Sequence, residues 1–400
     1  MNNRTILIVC QDFPYPLNYA GPLDSYNKIK ALHAAGYKVY LIATTKKEVN
    51  LEHLGEISKF CDQIYLIKRK YSFKNFLLIT PFQISSRVDD LEISKIVTKL
   101  AGVSIWSIIC DGYYGIGILN NLVEKISPRY VYLRVNNNEP FYFRALSRST
   151  RNILKKIYYL IDSLKFTLHE NSTLNNVNID AFLHVSIEEK KYYQEKFPRK
   201  KHYFLPAGVD VSKILAYERR DTFSAVFIGS LFMPNNLEGL YWYIQHVHDE
   251  LLFSFPDYRL YIAGNTRGNL DKKLMFLINQ RKNITFIDSP ESLESIYKLG
   301  SVFINPMING AGVKLKSLNA ICAGLPVVST LVGNEGTGLL SNEHLLIAED
   351  SKEFYQKVAQ LFGNESMRNS LVDSSQKYIQ YHYDQRTSMQ NIIGEIEGAM

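Results

Sequence analysis

Short apolar runs alternate along the chain with longer stretches of helical periodicity. The runs that we predict as strands are rich in β-branched and aromatic residues: TILIVC (5–10), KVYLIAT (38–44), IYLIK (64–68), SIIC (107–110), YVYLRV (130–135), AFLHVS (181–186), HYFLPAG (202–208), SAVFIGS (224–230), YRLYIAG (258–264), ITFID (284–288), SVFINP (301–306) and PVVST (326–330). They are continuously apolar, as is typical of parallel strands covered by helices on both faces. Strand and helix alternate in βαβ units, so the pattern predicts an α/β protein with two doubly wound sheets.

A polar stretch, GVDVSKILAYERRDT (208–222), separates two series of predicted strands. A chain of 400 residues is also too long for one ordinary core. We therefore predict an N-terminal domain over 1–210 and a C-terminal domain over 211–375. The final segment has helical periodicity, and we expect residues 376–400 to form a helix that packs back toward the N-terminal domain.

The composition is that of a folded protein, with 46% hydrophobic residues, 21% charged residues and a formal net charge of +7. This charge suits an anionic partner, which could be nucleic acid, a membrane surface or a phosphorylated small molecule. The basic residues are spread out without a recognisable nucleic-acid motif, which argues against nucleic acid. No apolar run approaches the roughly 20 residues that cross a bilayer, and the start of the chain resembles a strand rather than a signal peptide. We therefore expect a cytoplasmic protein.

The four cysteines, Cys10, Cys61, Cys110 and Cys322, are scattered along the chain and form no CxxC pair. No histidine cluster lies near them, and the sequence contains no D-x-D motif. We therefore expect buried thiols rather than disulfides, and neither a metal site nor a cofactor is expected.

A helix is predicted after the strand at 301–306. In GAGVKLKSLNAICAGLPVVST (310–330), Gly310 and Gly312 bracket a turn in which a ligand could approach the backbone closely. The helix should begin near residue 313 and end at Gly324, with Pro326 just beyond it as the usual stop signal.

Lys314 and Lys316 stand at the start of this helix, where unpaired backbone N–H groups already carry partial positive charge. Two interpretations fit this placement. Both side chains could be solvated surface lysines, the usual fate of a lysine. Alternatively, the two lysines and the helix amides bind an anion, for which a diphosphate is the commonest biological ligand.

Small or polar residues also follow three neighbouring predicted strands. Gly229 and Ser230 end one run, Gly264 ends the next, and FIDSPES (286–292) contains the end of a third. Ligands of doubly wound sheets gather at the carboxyl ends of the strands. The convergence of these ends therefore favours the anion-site interpretation of the two lysines.

Taken together, the segments FIGSLFMPNN (227–236), YIAGN (261–265), LGSVFINPMINGAGVKLKSLNAICAGLPVVST (299–330) and GNEGTGLL (333–340) resemble the retaining GT-B glycosyltransferases of family 4. The order and spacing match over roughly residues 224–345. The resemblance implies a GT-B fold, with two Rossmann-like domains facing a central cleft. It also implies transfer of a sugar from a nucleotide-diphosphate sugar, with retained configuration and without a metal.

The resemblance assigns roles to the donor-side residues. Lys314 and Lys316 would hold the diphosphate and act in catalysis, with assistance from the amides near Gly312 and Val313. The residues at the strand ends, Gly229, Ser230 and Gly264, would border the donor, and the two glycines would let it approach the backbone.

This chain departs from the family at two glutamate positions. The family often has two glutamates separated by seven residues, and the matching positions here are Ala311 and Asn319. The second glutamate contacts the donor ribose. Asn319 could replace that contact with an amide hydrogen bond, or it could be a helix-interior Asn with a local backbone bond.

The first domain also resembles these enzymes. Gly21 matches a flexible loop near the acceptor, although an ordinary βα loop is the alternative. Asp111 ends a predicted strand in IICDGYY.

The segment YLRVNNNEPFYFRALS (132–147) resembles a family pattern in which Arg134, Asn137, Glu139 and Arg144 match. Asn136 occupies the position that usually holds a His. An Asn cannot act as general acid or base, although it could hydrogen-bond the transferring sugar or cap a polar loop.

The expected mechanism needs no side-chain base. In the usual proposal for such enzymes, the acceptor attacks the face from which the diphosphate leaves, and a donor phosphate oxygen takes its proton. Lysines and helix amides would stabilise the leaving charge. The resemblance implies an oligosaccharide or lipid-linked glycan as acceptor, in bacterial surface polysaccharide synthesis.

A basic, apolar segment, RNILKKIYYLIDSLKF (151–166), fits a helix that is buried on one side. It also fits peripheral contact with an anionic membrane, at the inner face of the plasma membrane.

One other function remains open, and two more are disfavoured. The substitutions Asn136, Ala311 and Asn319 would suit a GT-B pseudoenzyme that binds a nucleotide sugar or a protein partner without turnover. The same substitutions argue against an epimerase acting on the nucleotide sugar. A dinucleotide oxidoreductase is disfavoured because no GxGxxG follows the first strand.

Overall fold

The computed structural model describes residues 4–16, 20–150, 152–209, 211, 214–219, 223–290, 292–310 and 313–398. The chain divides into two compact units. The first runs up to Gly208 and includes the segment from Gln385 onward, and the second is Val209–Asp384. We expected boundaries at 210/211 and 375/376. The second differs because residues 376–383 complete a helix that belongs to the second unit.

The first unit alternates strands and helices. In chain order these are β1 (Thr5–Cys10), α1 (Ala20–Ala34), β2 (Lys38–Thr45), α2 (Leu51–Ser58), β3 (Gln63–Lys68), α3 (Phe73–Leu77), α4 (Phe82–Ser85), α5 (Asp90–Lys99), β4 (Ile105–Asp111), a 3₁₀ turn (Tyr113–Gly115), α6 (Ile116–Ile126), β5 (Tyr130–Val135), α7 (Glu139–Ser149), α8 (Ile153–Asn176), β6 (Ala181–His184), α9 (Ile187–Lys196) and β7 (Lys201–Phe204).

The strands of the first unit form a parallel sheet in the order β3-β2-β1-β4-β5-β6-β7. Successive side chains of a strand point to opposite faces of its sheet, and both faces are buried here. In β1, Leu7 and Val9 join one apolar cluster, whereas Ile6 and Ile8 join the other. This explains why the strand reads as a continuous apolar run.

The second unit has the same alternation. Its elements are β8 (Ser224–Ile228), α10 (Pro234–Tyr243), a π-helical turn (Ile244–His248), α11 (Asp249–Ser254), β9 (Arg259–Gly264), α12 (Lys272–Asn279), β10 (Ile284–Asp288), α13 (Leu293–Tyr297), β11 (Val302–Asn305), α14 (Leu315–Cys322), β12 (Val327–Thr330), α15 (Leu331–Asn334), β13 (Leu346–Ala348), α16 (Ser351–Gly363) and α17 (Glu365–Tyr383).

The second sheet is also parallel, in the order β10-β9-β8-β11-β12-β13. The prediction of two doubly wound α/β sheets is therefore confirmed, and every predicted strand is present. The structure adds β13, which was not predicted. In both sheets the strand order reverses next to the first strand, between β1 and β4 and between β8 and β11, and ligands of open α/β sheets bind beside such a reversal.

Helix α18 (Gln385–Gly398) follows α17 and belongs to the first unit. Its buried residues Met389, Ile392, Ile393 and Ile396 join the same apolar cluster as residues of α1 and β1. The end of the chain thus completes the core of the first unit. All four cysteines are buried, as expected.

Candidate functional site

A cleft of about 660 Å³ opens at the carboxyl edge of the second sheet, near the reversal between β8 and β11. Its walls contain every donor-side residue predicted from the sequence that the structure describes: Gly229, Ser230, Gly264, Val313, Lys314, Lys316 and Asn319. Gly312 and Ala311 lie outside the described residues. The sheet therefore brings together side chains that are up to ninety positions apart in the chain.

The ends of β8 and β9 form one wall of this cleft. The Gly229 N–H donates to the Ala263 carbonyl at 3.1 Å, and the Leu231 N–H donates to the Asn265 carbonyl at 2.8 Å. The backbones lie so close that a side chain on Gly264 would collide with the Gly229 carbonyl. Both glycines thus have a packing role, beside the predicted role of admitting a ligand to the backbone.

Helix α14 forms the opposite wall. It begins at Leu315, slightly later than expected, because Lys314 has non-helical angles of φ −90° and ψ 70°. No side chain caps this helix start. The helix ends where predicted, since Gly324 has a φ of +78° and the Leu325 N–H donates to the Ala320 carbonyl.

Lys316 is partly buried within this cleft. Its Nζ donates a hydrogen bond to Asn236 Oδ1 and lies 5.0 Å from the ring centroid of Phe227. Burial lowers the pKa of Lys316 to about 7, and repulsion from Lys314 contributes to the same shift. Burial therefore makes the charged form of this lysine unfavourable, and a bound anion would reverse that effect.

Lys314 is almost entirely buried, with 4% of its surface exposed. Its Nζ donates to the Gly310 carbonyl at 3.3 Å and lies 3.5 Å from Glu335 Oε2. Glu335 is itself 44% exposed at its side chain. The interpretation of both lysines as ordinary solvated surface residues does not fit this burial.

Asn236 connects the two walls and was not among the predicted site residues. Its Nδ2 donates to the Ser230 carbonyl at 2.9 Å, while its Oδ1 accepts from Lys316. The feature of the sequence that could have indicated it is the pair of asparagines that follows Pro234 at the start of α10. Asn319, by contrast, is exposed at the rim of the cleft.

The predicted acceptor-side residues belong to the first unit and are described separately from the cleft of the second unit. Asp111 and Arg134 belong to a buried network of four charged groups with Asp24 and Lys28. The Lys28 ammonium lies 2.7 Å from Asp24 Oδ2 and 2.9 Å from Asp111 Oδ1. One guanidinium nitrogen of Arg134 lies 2.9 Å from Asp24 Oδ2.

This network changes the interpretation of Asp111 and Arg134, which are 2% and 0% exposed. Burial alone would raise the pKa of Asp111, but the charges of Lys28 and Arg134 outweigh it and hold that pKa below its usual value. The geometry therefore favours a role in positioning α1, β4 and β5 over direct contact with an acceptor.

The segment after β5 carries three further candidates. Asn136 Oδ1 accepts a hydrogen bond from Arg134 Nε at 3.2 Å. Glu139 is buried at the start of α7, and its Oε2 accepts from the Tyr114 hydroxyl at 2.6 Å. Burial raises the pKa of Glu139 to about 7, opposed by hydrogen bonds from Tyr114 and Asn137.

Gly21 was expected in a flexible loop before the first helix. The structure places it instead within the first turn of α1, which begins at Ala20. Gly21 is exposed there. Arg144 is likewise exposed, on α7.

Known proteins are similar to this chain in sequence and in fold. Residues 222–364 match the family model of the glycosyl transferases group 1 domain. The chain is also 34% identical over 400 residues to a Klebsiella pneumoniae protein described as an uncharacterized 44.6 kDa protein in the cps region, with 98% of this chain and 99% of that protein covered. The chain belongs to the same family as this protein and carries a glycosyl transferases group 1 domain.

Solved structures extend the likeness to the whole fold. A glycosyltransferase from Rickettsia africae has a TM-score of 0.67 at 12% identity, with 98% of each chain covered. Anabaena HepE in complex with UDP and glucose has a TM-score of 0.61 at 10% identity, covering 99% of this chain and 100% of that one. TarM has a TM-score of 0.63 at 10% identity, with 98% of each chain covered. At these identities the likeness shows the fold alone, two Rossmann-like parallel-sheet domains of the GT-B type. The glycosyl transferases group 1 domain contains all the described residues of the cleft.

Proposed function

We propose that the protein is a glycosyltransferase that moves a sugar from a nucleotide-diphosphate sugar to an oligosaccharide or lipid-linked glycan, with retained configuration. One observation carries the proposal. Lys314 is buried and Lys316 is partly buried at an uncapped helix start, inside a cleft bordered by glycines within a glycosyl transferases group 1 domain. Burial and then repulsion from Lys314 lower the pKa of Lys316, and a bound diphosphate would oppose both effects.

In this proposal the two lysines stabilise the leaving diphosphate. The bond between the anomeric carbon and the diphosphate oxygen breaks, and a bond to the acceptor oxygen forms on the same face of the sugar. The acceptor proton passes to a phosphate oxygen of the donor. Negative charge grows on the diphosphate as it leaves, and Lys316, which is hydrogen-bonded to Asn236, would oppose it.

Metal independence is part of the proposal, because Lys314, Lys316 and the amides at the start of α14 supply positive charge where the diphosphate would lie. Transfer should therefore persist after treatment with EDTA. Asn136 is compatible with this route, since no side-chain base is required.

The proposed pathway is bacterial surface polysaccharide synthesis. The Klebsiella relative is described by its position in the cps region, and HepE has been solved with UDP and glucose. Among the described residues no helix has the length and apolarity needed to cross a membrane. A cytoplasmic location, with peripheral contact at the inner face of the plasma membrane, belongs to the proposal.

A second candidate is a protein that binds a nucleotide sugar or a protein partner without turnover. The observation that favours it is the placement of Asn319 at the rim of the cleft and of Asn136 in a hydrogen bond with Arg134. Neither position carries the glutamate or histidine that is usual in the resembling enzymes.

A thermal-shift panel of UDP-, GDP-, CMP- and dTDP-sugars tests the donor site, because a ligand that binds the folded state raises the melting temperature. We expect one class of nucleotide sugar to raise the melting temperature of the wild-type protein. Lys314→Ala or Lys316→Ala should abolish that rise. Lys352→Ala, an exposed lysine of the same unit, is the matched control. Nucleotide release with acceptor then separates the two functions: a ligand shift without release would identify the binding protein.

A further inference from the structure

Helix α8 has two apolar faces, and one of them is exposed in the part of the chain that the structure describes. Its inner face buries Phe166 and Leu174 in the core of the first unit. Its outer face carries large apolar side chains that are each 43–79% exposed: Ile153, Leu154, Ile157, Leu160, Ile161, Leu164 and Leu168. At about 100° per residue, these positions fall within an arc of about 120° on the helix. The exposed apolar side chains therefore form a continuous stripe along the helix.

The end of α3 extends this stripe. Phe76, Leu77, Leu78 and Ile79 are 42–79% exposed. They adjoin α8, because Lys165 Nζ donates to the Phe76 carbonyl at 2.6 Å and the Phe76 ring lies 5.8 Å from that of Tyr158. We call these four residues, together with the seven outer residues of α8, the apolar surface.

The charges around the apolar surface have one sign. The exposed charged side chains in α3, α7 and α8 are basic: Lys74, Arg144, Arg148, Lys155 and Lys156. The described acidic residues of the same three helices, Glu139, Asp162 and Glu170, are all buried. On the helical projection, Lys156 and Lys165 flank the stripe on opposite sides.

We propose that the apolar surface docks the protein on an anionic lipid bilayer, with the Ile and Leu side chains among the acyl chains and the lysines at the headgroups. A helix with an apolar face and basic flanks lies in the plane of a membrane interface in this way. Protein interfaces favour Tyr, Trp and Arg at their centres, whereas the outer face of α8 is entirely Ile and Leu between residues 153 and 168. Contiguous exposed apolar residues on this scale mark an interaction site.

This inference rests on the proposed function and deepens it, because a lipid-linked acceptor would be carried by such a membrane. It assigns the contact to named residues of the first unit. Its test contains neither donor nor acceptor, so the two proposals can fail separately. A protein that docks through this surface but transfers no sugar would refute only the reaction.

The experiment is co-sedimentation of the full chain with phosphatidylcholine vesicles that contain or lack phosphatidylglycerol. We expect binding that requires phosphatidylglycerol. Leu154→Gln with Leu164→Gln should weaken it at least about tenfold, since each substitution removes a leucine from the acyl region. The matched control is Leu51→Gln with Leu91→Gln, at positions that are 85% and 73% exposed outside the surface.

The basic flank has its own variant. Lys156→Gln should weaken binding about fivefold, because a lysine near an anionic surface contributes about 1 kcal/mol. Lys46→Gln, at an exposed position elsewhere in the first unit, should leave it unchanged.

Two outcomes would overturn the proposal. One is a wild-type protein that does not sediment with anionic vesicles, or a Leu154→Gln, Leu164→Gln double variant that sediments as well as the wild type. The other is a dimer in light scattering that these substitutions convert to a monomer while vesicle binding persists. That result would assign the apolar surface to a second copy of the chain. All substitutions are at exposed positions, and unchanged thermal unfolding verifies that each variant is folded.

Discussion

A Cβ atom on Gly264 would lie 1.7 Å from the carbonyl oxygen of Gly229. The two residues end neighbouring parallel strands whose register pairs Ile228 with Ala263. Any larger residue at position 264 would force these strand ends apart. The wall of the proposed donor cleft therefore depends on the absence of a side chain at this point.

We predict that Gly264→Ala lowers the free energy of unfolding by about 2 kcal/mol or more and weakens nucleotide-sugar binding, because backbone atoms must move to admit the methyl group. Urea unfolding and ligand thermal shift measure the two effects. Gly363→Ala is the control, since a Cβ there meets nothing within 4 Å in the same unit. Equal stability of the two variants would show that the strand ends separate at little cost.

Donor binding should depend on pH through Lys316. Its pKa is lowered to about 7, by burial and then by Lys314, so a large fraction is neutral at pH 8. A bound diphosphate favours the charged form, hence binding must take up a proton above pH 7. We expect the affinity for a nucleotide sugar to fall up to about tenfold per pH unit between pH 7 and 9.

Calorimetry in buffers of different ionisation enthalpy measures this proton uptake directly. Lys316→Gln should bind more weakly and lose the uptake. Lys352→Gln should behave as wild type, because its side chain is exposed and outside the cleft. A flat pH profile for the wild-type protein over this range would show that Lys316 does not charge on binding.

Asn236→Asp tests whether Lys316 is placed for an external anion. The carboxylate would take the position of an amide oxygen that now accepts from Lys316, so it should raise the pKa of that lysine and satisfy its charge internally. We expect weaker donor binding together with loss of the proton uptake.

Asn235→Asp is the comparison for this variant, since the neighbouring side chain also lines the cleft but its Oδ1 accepts from the Asn236 N–H rather than from Lys316. It should retain the proton uptake. Tighter binding by Asn236→Asp would contradict the proposed contact between Lys316 and the diphosphate.

The strands could be predicted because both faces of each sheet are covered, which leaves long apolar runs in the sequence. β13 escaped prediction because only Leu346–Ala348 pair at the sheet edge. The second unit boundary was displaced because helical periodicity continues through α17 and α18, and Asp384 alone separates them.

The cleft was predictable to the extent that its residues follow strands. Lys314 and Lys316 lie beside a glycine turn at a helix start, and this sequence feature predicted them as site residues. Asn236 is eighty positions from Lys316, and only folding shows that they are bonded. Similarly, nothing in the sequence indicates that Asp111 and Arg134 are buried as partners of Asp24 and Lys28 rather than exposed to a ligand.

The buried network gives a final prediction. Arg134→Met leaves Asp24 and Asp111 with Lys28 as their remaining partner in the network, so we expect a loss of about 3–5 kcal/mol in the free energy of unfolding at pH 7. Asp111 has a lowered pKa in the folded wild-type protein, hence its contribution is present at neutral pH and lost as the pH falls through that pKa. The variant should lose this contribution at higher pH than the wild type.

Urea unfolding between pH 3 and 8 measures both effects, with Lys377→Met as the control because its pair with Asp373 is exposed and should contribute less than about 1 kcal/mol. Asp24→Asn in the Arg134→Met background should recover part of the stability by removing one uncompensated charge. If Arg134→Met instead kept full stability and raised only the KM for the acceptor, Arg134 would contact the acceptor, as its match to the family pattern first led us to predict.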